Sequence, residues 1–240
     1  MRVDNRKPDE LRPLTIKRLF TKYAPGSVFV ETGDTKVICT ATIEENVPPH
    51  VKNTGEGWIT AEYSLLPSAT PVRTSRESAR GRLTGRTHEI QRLIGRSMRS
   101  IIDLSLLKER TIWIDCDVVQ ADGGTRTVAI TGSYIALMDA VKWMMNNNII
   151  KENPVLNSIA AVSVGVVNGI VLLDLCYAED ASAQVDMNIV MTGDGKFIEI
   201  QGTGEEYTFD DTQLEEMLKM AKKGILEITE IQKKALENNC

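Results

Sequence analysis

Residues 120–130 read QADGGTRTVAI. An apolar run, TIWIDCDVV at 111–119, leads into Gly123, Gly124, Thr125 and Arg126, and a helical pattern follows. That order of residue types could bind an oxyanion such as phosphate. The first N–H groups of a helix have no intrahelical partner and lie at the positive end of its dipole. Glycine lets an anion approach the backbone closely, threonine adds a hydroxyl donor, and arginine adds charge. The same four residues could make a plain turn in which Thr125 caps the helix, and taken alone they favour that reading. On local sequence both readings stand. The spacings G-x-x-x-x-G-K-[ST] and G-x-G-x-x-G are both absent, which disfavours nucleotide-binding loops of those kinds.

A second cluster precedes this junction. Arg73, Arg76, Arg80, Arg82, Arg86, Arg92, Arg96 and Arg99 fall in one segment with only Glu77 and Glu89 against them, in a chain of net charge −5. Every cation there is arginine, whose planar fork suits phosphate groups better than lysine does. A solvated charged face would be the plain explanation. The absence of lysine points instead to a polyanion, with RNA, DNA and a small phosphate all open. Two carboxylates complete the candidates. Asp180 and Asp186 flank the link ASAQV between apolar runs, and alternation puts Asp186 and Asn188 on one strand face, opposite Val185, Met187 and Ile189. Carboxylates at adjacent strand ends could hold a hard cation through oxygen; a simple acidic hairpin loop is the alternative. His50 and His88 are the only histidines, which disfavours a two-histidine nuclease site and points to a nucleophile from solution.

The elements that must position these residues can be read from periodicity and turn chemistry. Gly33-Asp34, Asn168-Gly169 and Gly193-Asp194-Gly195 each lie between β-rich runs and predict hairpins. GWITAEYSLLP at 57–67 predicts another strand, and the polar segment 68–86 a long loop. Ile90, Leu93, Ile94, Met98, Ile101 and Ile102 predict an amphipathic helix capped at Thr87, with Arg92, Arg96 and Arg99 on another face. Residues 127–146 are apolar nearly all round, as in a helix between layers. Asp210 and Gln213 predict a capping box, with Phe209 stapled to Leu214. The pattern predicts an α+β fold of two similar strand-then-helix lobes, 1–150 and 151–240, sharing one core. Cys39, Cys116, Cys176 and Cys240 are scattered, which predicts free thiols in a reducing compartment. The opening residues lack an apolar h-region and no run is long enough to span a bilayer, so a cytoplasmic protein without a membrane partner is expected.

Taken in order, GRTHEIQRLIGRSMR, DCDVVQADGGTRTVAITG, AAVSVGVVNG, DMNIVMTGDGKFIEIQGTGE and the earlier GWITAEYSLLP resemble the bacterial ribonuclease PH family over almost the whole chain. The resemblance implies the ribosomal protein S5 domain 2-like fold and a homohexamer built from dimers. It implies phosphorolytic 3′–5′ trimming of tRNA precursors, with inorganic phosphate as co-substrate and nucleoside diphosphates released. It places phosphate on Arg86, Gly124, Thr125 and Arg126. It gives catalysis and Mg²⁺ or Mn²⁺ binding to Asp180 and Asp186, and RNA contact to the arginine segment, including Arg73, Arg76, Arg80, Arg92, Arg96 and Arg99. Ser68-Ala69 departs from the more basic or hydroxyl-bearing pair the resemblance implies. A non-catalytic RNA-binding subunit of an exosome-like ring is the alternative, and such subunits lack parts of the loop or acidic pair that are whole here.

Overall fold

The computed structural model describes residues 2–204 and 207–237. The first sheet runs in the order β1 (Leu14–Arg18), β2 (Gly26–Thr32), β3 (Thr35–Glu44), β5 (Thr111–Gln120), β4 (Trp58–Leu65). Its pairs are antiparallel except β4 with β5. A parallel pair needs a crossover, which the loop after β4 and helix α1 (Gly85–Arg99) provide. The second sheet is antiparallel, in the order β7 (Ile170–Leu173), β6 (Ile159–Val167), β8 (Val185–Thr192), β9 (Phe197–Gly204). The three turn signals each join the strands expected. Asn168 and Gly169 both adopt positive φ, the geometry of the tight hairpin turn their types favour.

Helix α2 (Thr125–Asn146) lies between the two sheets and is buried on nearly every face, as its uniform apolarity requires. The larger apolar cluster gathers the inner face of the first sheet, α1 and α2, and takes in Ile159, Ala161 and Val190 from the second sheet. The lobes therefore share that core. The other face of the second sheet buries Val162, Val164, Met187 and Ile189 under α4 (Asp211–Glu237). The α4 capping box forms as expected, with Gln213 N donating to Asp210 Oδ1 at 2.9 Å and Asp210 N to Gln213 Oε1 at 3.2 Å.

Two expectations change. Thr84, not Thr87, caps α1 and accepts a hydrogen bond from Thr87 N at 3.3 Å, so Arg86 belongs to the first helical turn. Asp180 does not end a strand. β7 stops at Leu173, and a four-residue helix, α3 (Tyr177–Asp180), follows; β7 and β8 flank β6 rather than pairing with each other. Cys39, Cys116 and Cys176 are buried free thiols, and Cys240 lies outside the described residues. Among the described residues no helix is long and apolar enough to cross a membrane.

Candidate active site

β5 ends at Gln120, and the chain then turns sharply through Gly123 (φ 76°) and Gly124 (φ 65°) into α2. Both torsions favour glycine, and space demands it too. A Cβ on Gly123 would stand 2.6 Å from Leu175 O and 2.8 Å from Tyr177 N, because here the first lobe's backbone passes directly against the second's. Gly124 is the cap residue of α2 and no side chain caps the helix. Thr125 is its first residue, so the threonine-cap reading fails. Its hydroxyl instead pairs with Tyr63 Oη at 2.7 Å. Burial pushes the Tyr63 phenol above its ordinary value, so it stays protonated and can share its hydrogen with Thr125. Replacing Tyr63 with phenylalanine should weaken binding of an oxyanion at this junction about threefold to tenfold, the cost of one unsupported hydroxyl. Phosphate titration of both proteins checks it.

The opening of α2 faces a cavity of about 450 Å³. Its walls carry Arg86 from α1, Gly124, Thr125 and Arg126 from the α2 junction, Asp180 from α3, and Asp186 from β8. All six residues expected at the phosphate and carboxylate sites thus meet in one space between the lobes. Arg86 is exposed and makes no ion pair among the described residues. Arg126 is held: its Nη1 donates to Gln201 Oε1 at 2.7 Å and to Glu89 Oε1 at 3.3 Å, tying α2 to β9 and α1. Asn188 Nδ2 donates to Asp186 Oδ2 at 3.4 Å, and Ser163 of β6 stands beside them on the same wall.

The arginine segment divides. Arg76, Arg80 and Arg86 line a neighbouring cavity of about 810 Å³ that shares Tyr63, Leu65 and Arg86 with the first. Arg73 lines neither. The loop is fastened to α1 by Glu77, whose carboxylate accepts from Thr84 Oγ1 and Thr87 Oγ1, both at 2.9 Å. Partial burial pushes that carboxyl upward, but the Thr87 and Thr84 hydrogen bonds outweigh it and hold Glu77 below the usual range. On α1, Arg92 is exposed, while Arg96 pairs with Glu199 at 3.1 Å. Arg99 donates to Ile59 O at 2.7 Å and stacks 4.3 Å from the Trp58 ring centre. Through these contacts the Arg99 guanidinium braces α1 against β4. Ala69 is buried, and its carbonyl accepts from Ala121 N at 2.8 Å, so the Ser68-Ala69 departure falls on a packing position.

Models of the 3′ exoribonuclease family match the chain twice, domain 1 over residues 10–142 and domain 2 over residues 157–224. The chain belongs to the ribonuclease PH family of 3′ exoribonucleases. Among ribonuclease PH relatives, the protein so named from Bacillus cereus (strain G9842) is 56% identical over 238 residues, spanning 98% of this chain and 97% of that one. Solved structures with the same fold include an Archaeoglobus fulgidus exosome with RNA bound to the active site, at TM-score 0.81 and 24% identity over 95% of this chain and 91% of that one. Rice (Oryza sativa) Rrp46 aligns at TM-score 0.79 and 21% identity, over 98% of this chain and 100% of that one. At such identities the two structures speak for the ribonuclease PH fold alone.

Proposed function

We propose that this protein is a phosphorolytic 3′–5′ exoribonuclease that trims tRNA precursors, consuming inorganic phosphate and releasing nucleoside diphosphates. The observation that carries the reading is the single cavity in which two arginines and an uncapped helix start face two aspartates from the other lobe. An anion at Arg86, Thr125, Arg126 and the first N–H groups of α2 would be fixed by charge and by donors already oriented. From there an oxygen of phosphate attacks the phosphorus of the terminal 3′–5′ linkage. The bond to the 3′ oxygen of the preceding nucleotide breaks, that oxygen takes a proton, and the shortened RNA leaves. Such transfer rests on positioning and charge stabilisation and needs no nucleophilic side chain, which agrees with the scarcity of histidine.

Mg²⁺ or Mn²⁺ fits the residues present. Asp180 and Asp186 offer hard oxygen donors, with Asn188 and Ser163 beside them. Two protein carboxylates would leave much of the ion's shell to water and substrate phosphate, as Mg²⁺ commonly keeps it. When bound, the ion would offset charge building on the phosphorus and the leaving oxygen. Arg76 and Arg80 would lead the RNA backbone toward Arg86 without reading bases. With two phosphate contacts, Arg76 and Arg80, to a single strand, RNA affinity should fall with salt at a log–log slope of about −1.4. A flat response across moderate salt would remove the arginines from the RNA path. A homohexamer assembled from dimers, working in the cytoplasm, completes the reading; family membership supports it, and light scattering would measure the assembly.

The deciding assay incubates the protein with a 3′-tailed RNA and Mg²⁺, with and without inorganic phosphate, and identifies the mononucleotide released. Diphosphates that appear only with phosphate are the expected result. Monophosphates formed without it would mean hydrolysis, and RNA bound but never shortened would mean a non-catalytic ring subunit.

A further inference from the structure

Two arginines in the segment 2–12, Arg2 and Arg12, are buried and a third, Arg6, is half-buried, and the chemistry above uses none of them. Arg2 Nε and Nη2 donate to the two carboxylate oxygens of Glu179 at 2.8 and 2.7 Å, and Nη2 also reaches Asp174 O at 3.0 Å. Arg12 grips Asp174 through Nε and Nη2 at 3.0 and 2.7 Å, and its Nη1 donates to Asp122 O at 2.5 Å. Arg6 adds contacts of 3.7 Å to Asp174 and 3.6 Å to Glu179. A buried guanidinium is tolerated only when its donors are satisfied and its charge is paired, and here both conditions are met at some cost in side-chain freedom.

What these arginines hold is telling. Glu179 is buried and the adjacent Asp180 is exposed to the cavity, on a helix of only four residues. So short a helix nucleates poorly by itself and is held by local capping, in which Cys176 N donates to Glu179 Oε2 at 3.2 Å, together with tertiary contacts. Asp174, at the end of β7, and Asp122, just before the double glycine, are bound by the same Arg12. The segment therefore touches both halves of the site, the carboxylate side through Glu179 and the anion side through the carbonyl of Asp122.

We propose that the segment 2–12 is a positioning strut for the reaction, with Arg2 and Glu179 as positioning residues that aim Asp180 into the cavity and Arg12 joining that arm to the phosphate turn. The inference rests on the reading of Asp180 as a working carboxylate. The test uses the neutral double variant Arg2→Gln/Glu179→Gln, which leaves no buried charge unpaired, with Arg2→Gln alone as the harsher version. Three quantities are read: amide hydrogen exchange across 177–183 in the intact protein, Mn²⁺ binding by electron paramagnetic resonance, and kcat with the phosphate KM. The double variant should exchange 177–183 at least tenfold faster while the amides of α2 keep their protection. It should bind Mn²⁺ about tenfold to a hundredfold more weakly and lose kcat by a similar factor, with the phosphate KM within twofold of the parent. Parental protection of 177–183 overturns the proposal, and so does faster exchange with parental Mn²⁺ binding and kcat, or an equal loss in every parameter. Asp180→Asn separates the two levels. If it retains Mn²⁺ binding and turnover, the functional reading of Asp180 is what fails, whereas the exchange result still judges the strut.

Discussion

Replacing Asp186 with asparagine lowers phosphorolytic turnover by about a hundredfold to a thousandfold, the scale set by removing one electrostatic group from a preorganised site, while the fold and RNA affinity stay near those of the parent. The expectation follows from where β8 puts the residue. Val185, Met187 and Ile189 anchor the strand in the core beneath α4, and Asp186 turns the other way, onto the wall of the cavity that Asn188 and Asp180 also line. Asparagine keeps the shape and can still meet the Asn188 amide, so packing should not suffer. What disappears is a full negative charge beside the proposed reaction centre. Turnover against Mg²⁺ concentration, a melting curve and RNA binding test the three statements separately. An asparagine variant that stays active, and does so without a divalent ion, ends the role assigned to Asp186. A variant that melts early would mean instead that the carboxylate belongs to the scaffold.

How legible all this is in the sequence depends on the range of the interaction concerned. Gly33-Asp34, Asn168-Gly169 and the Asp210–Gln213 box are settled by residues a few positions apart, and each forms as its local chemistry dictates. The aspartates and the GGTR junction are recognisable as types, but their meeting in one cavity depends on how the two sheets clasp α2, which no local pattern encodes. The double glycine shows the difference well. Positive φ could be anticipated from a turn, but the contact of Gly123 with Leu175 and Tyr177 joins residues from different lobes. Helix α3 is too short for any periodicity, so Asp180 reads as a loop or strand end. Tyr63 could have been found from the alternation Ala61, Tyr63, Leu65, which turns the ring inward from β4; its partner Thr125 could not. The arginines of 2–12 look like an ordinary charged stretch, because burial is decided by Asp174 and Glu179 more than 150 positions away.

The second large effect concerns Arg126. Changing it to alanine should raise the phosphate KM by about tenfold to a hundredfold, the worth of one or two charge-assisted hydrogen bonds, and leave RNA affinity within about threefold. Arg126 is suited to such a selective role because its side chain is largely buried and its Nη1 is pinned by Gln201 and Glu89, so the guanidinium is oriented before any anion arrives. Preorganisation of this kind lowers the cost of binding. It also makes the variant's defect larger than a lost contact alone, since the Glu89 carboxylate would remain near the anion with its cation gone. The double variant Arg126→Ala/Glu89→Gln should therefore recover part of the phosphate affinity. Arg126→Lys should fall between parent and alanine, keeping the charge but not the fork. Phosphate titrations at saturating RNA, and RNA titrations without phosphate, separate the two affinities. Equal losses in both would place Arg126 in general RNA attraction, and the selectivity argued from the α2 junction would collapse with it.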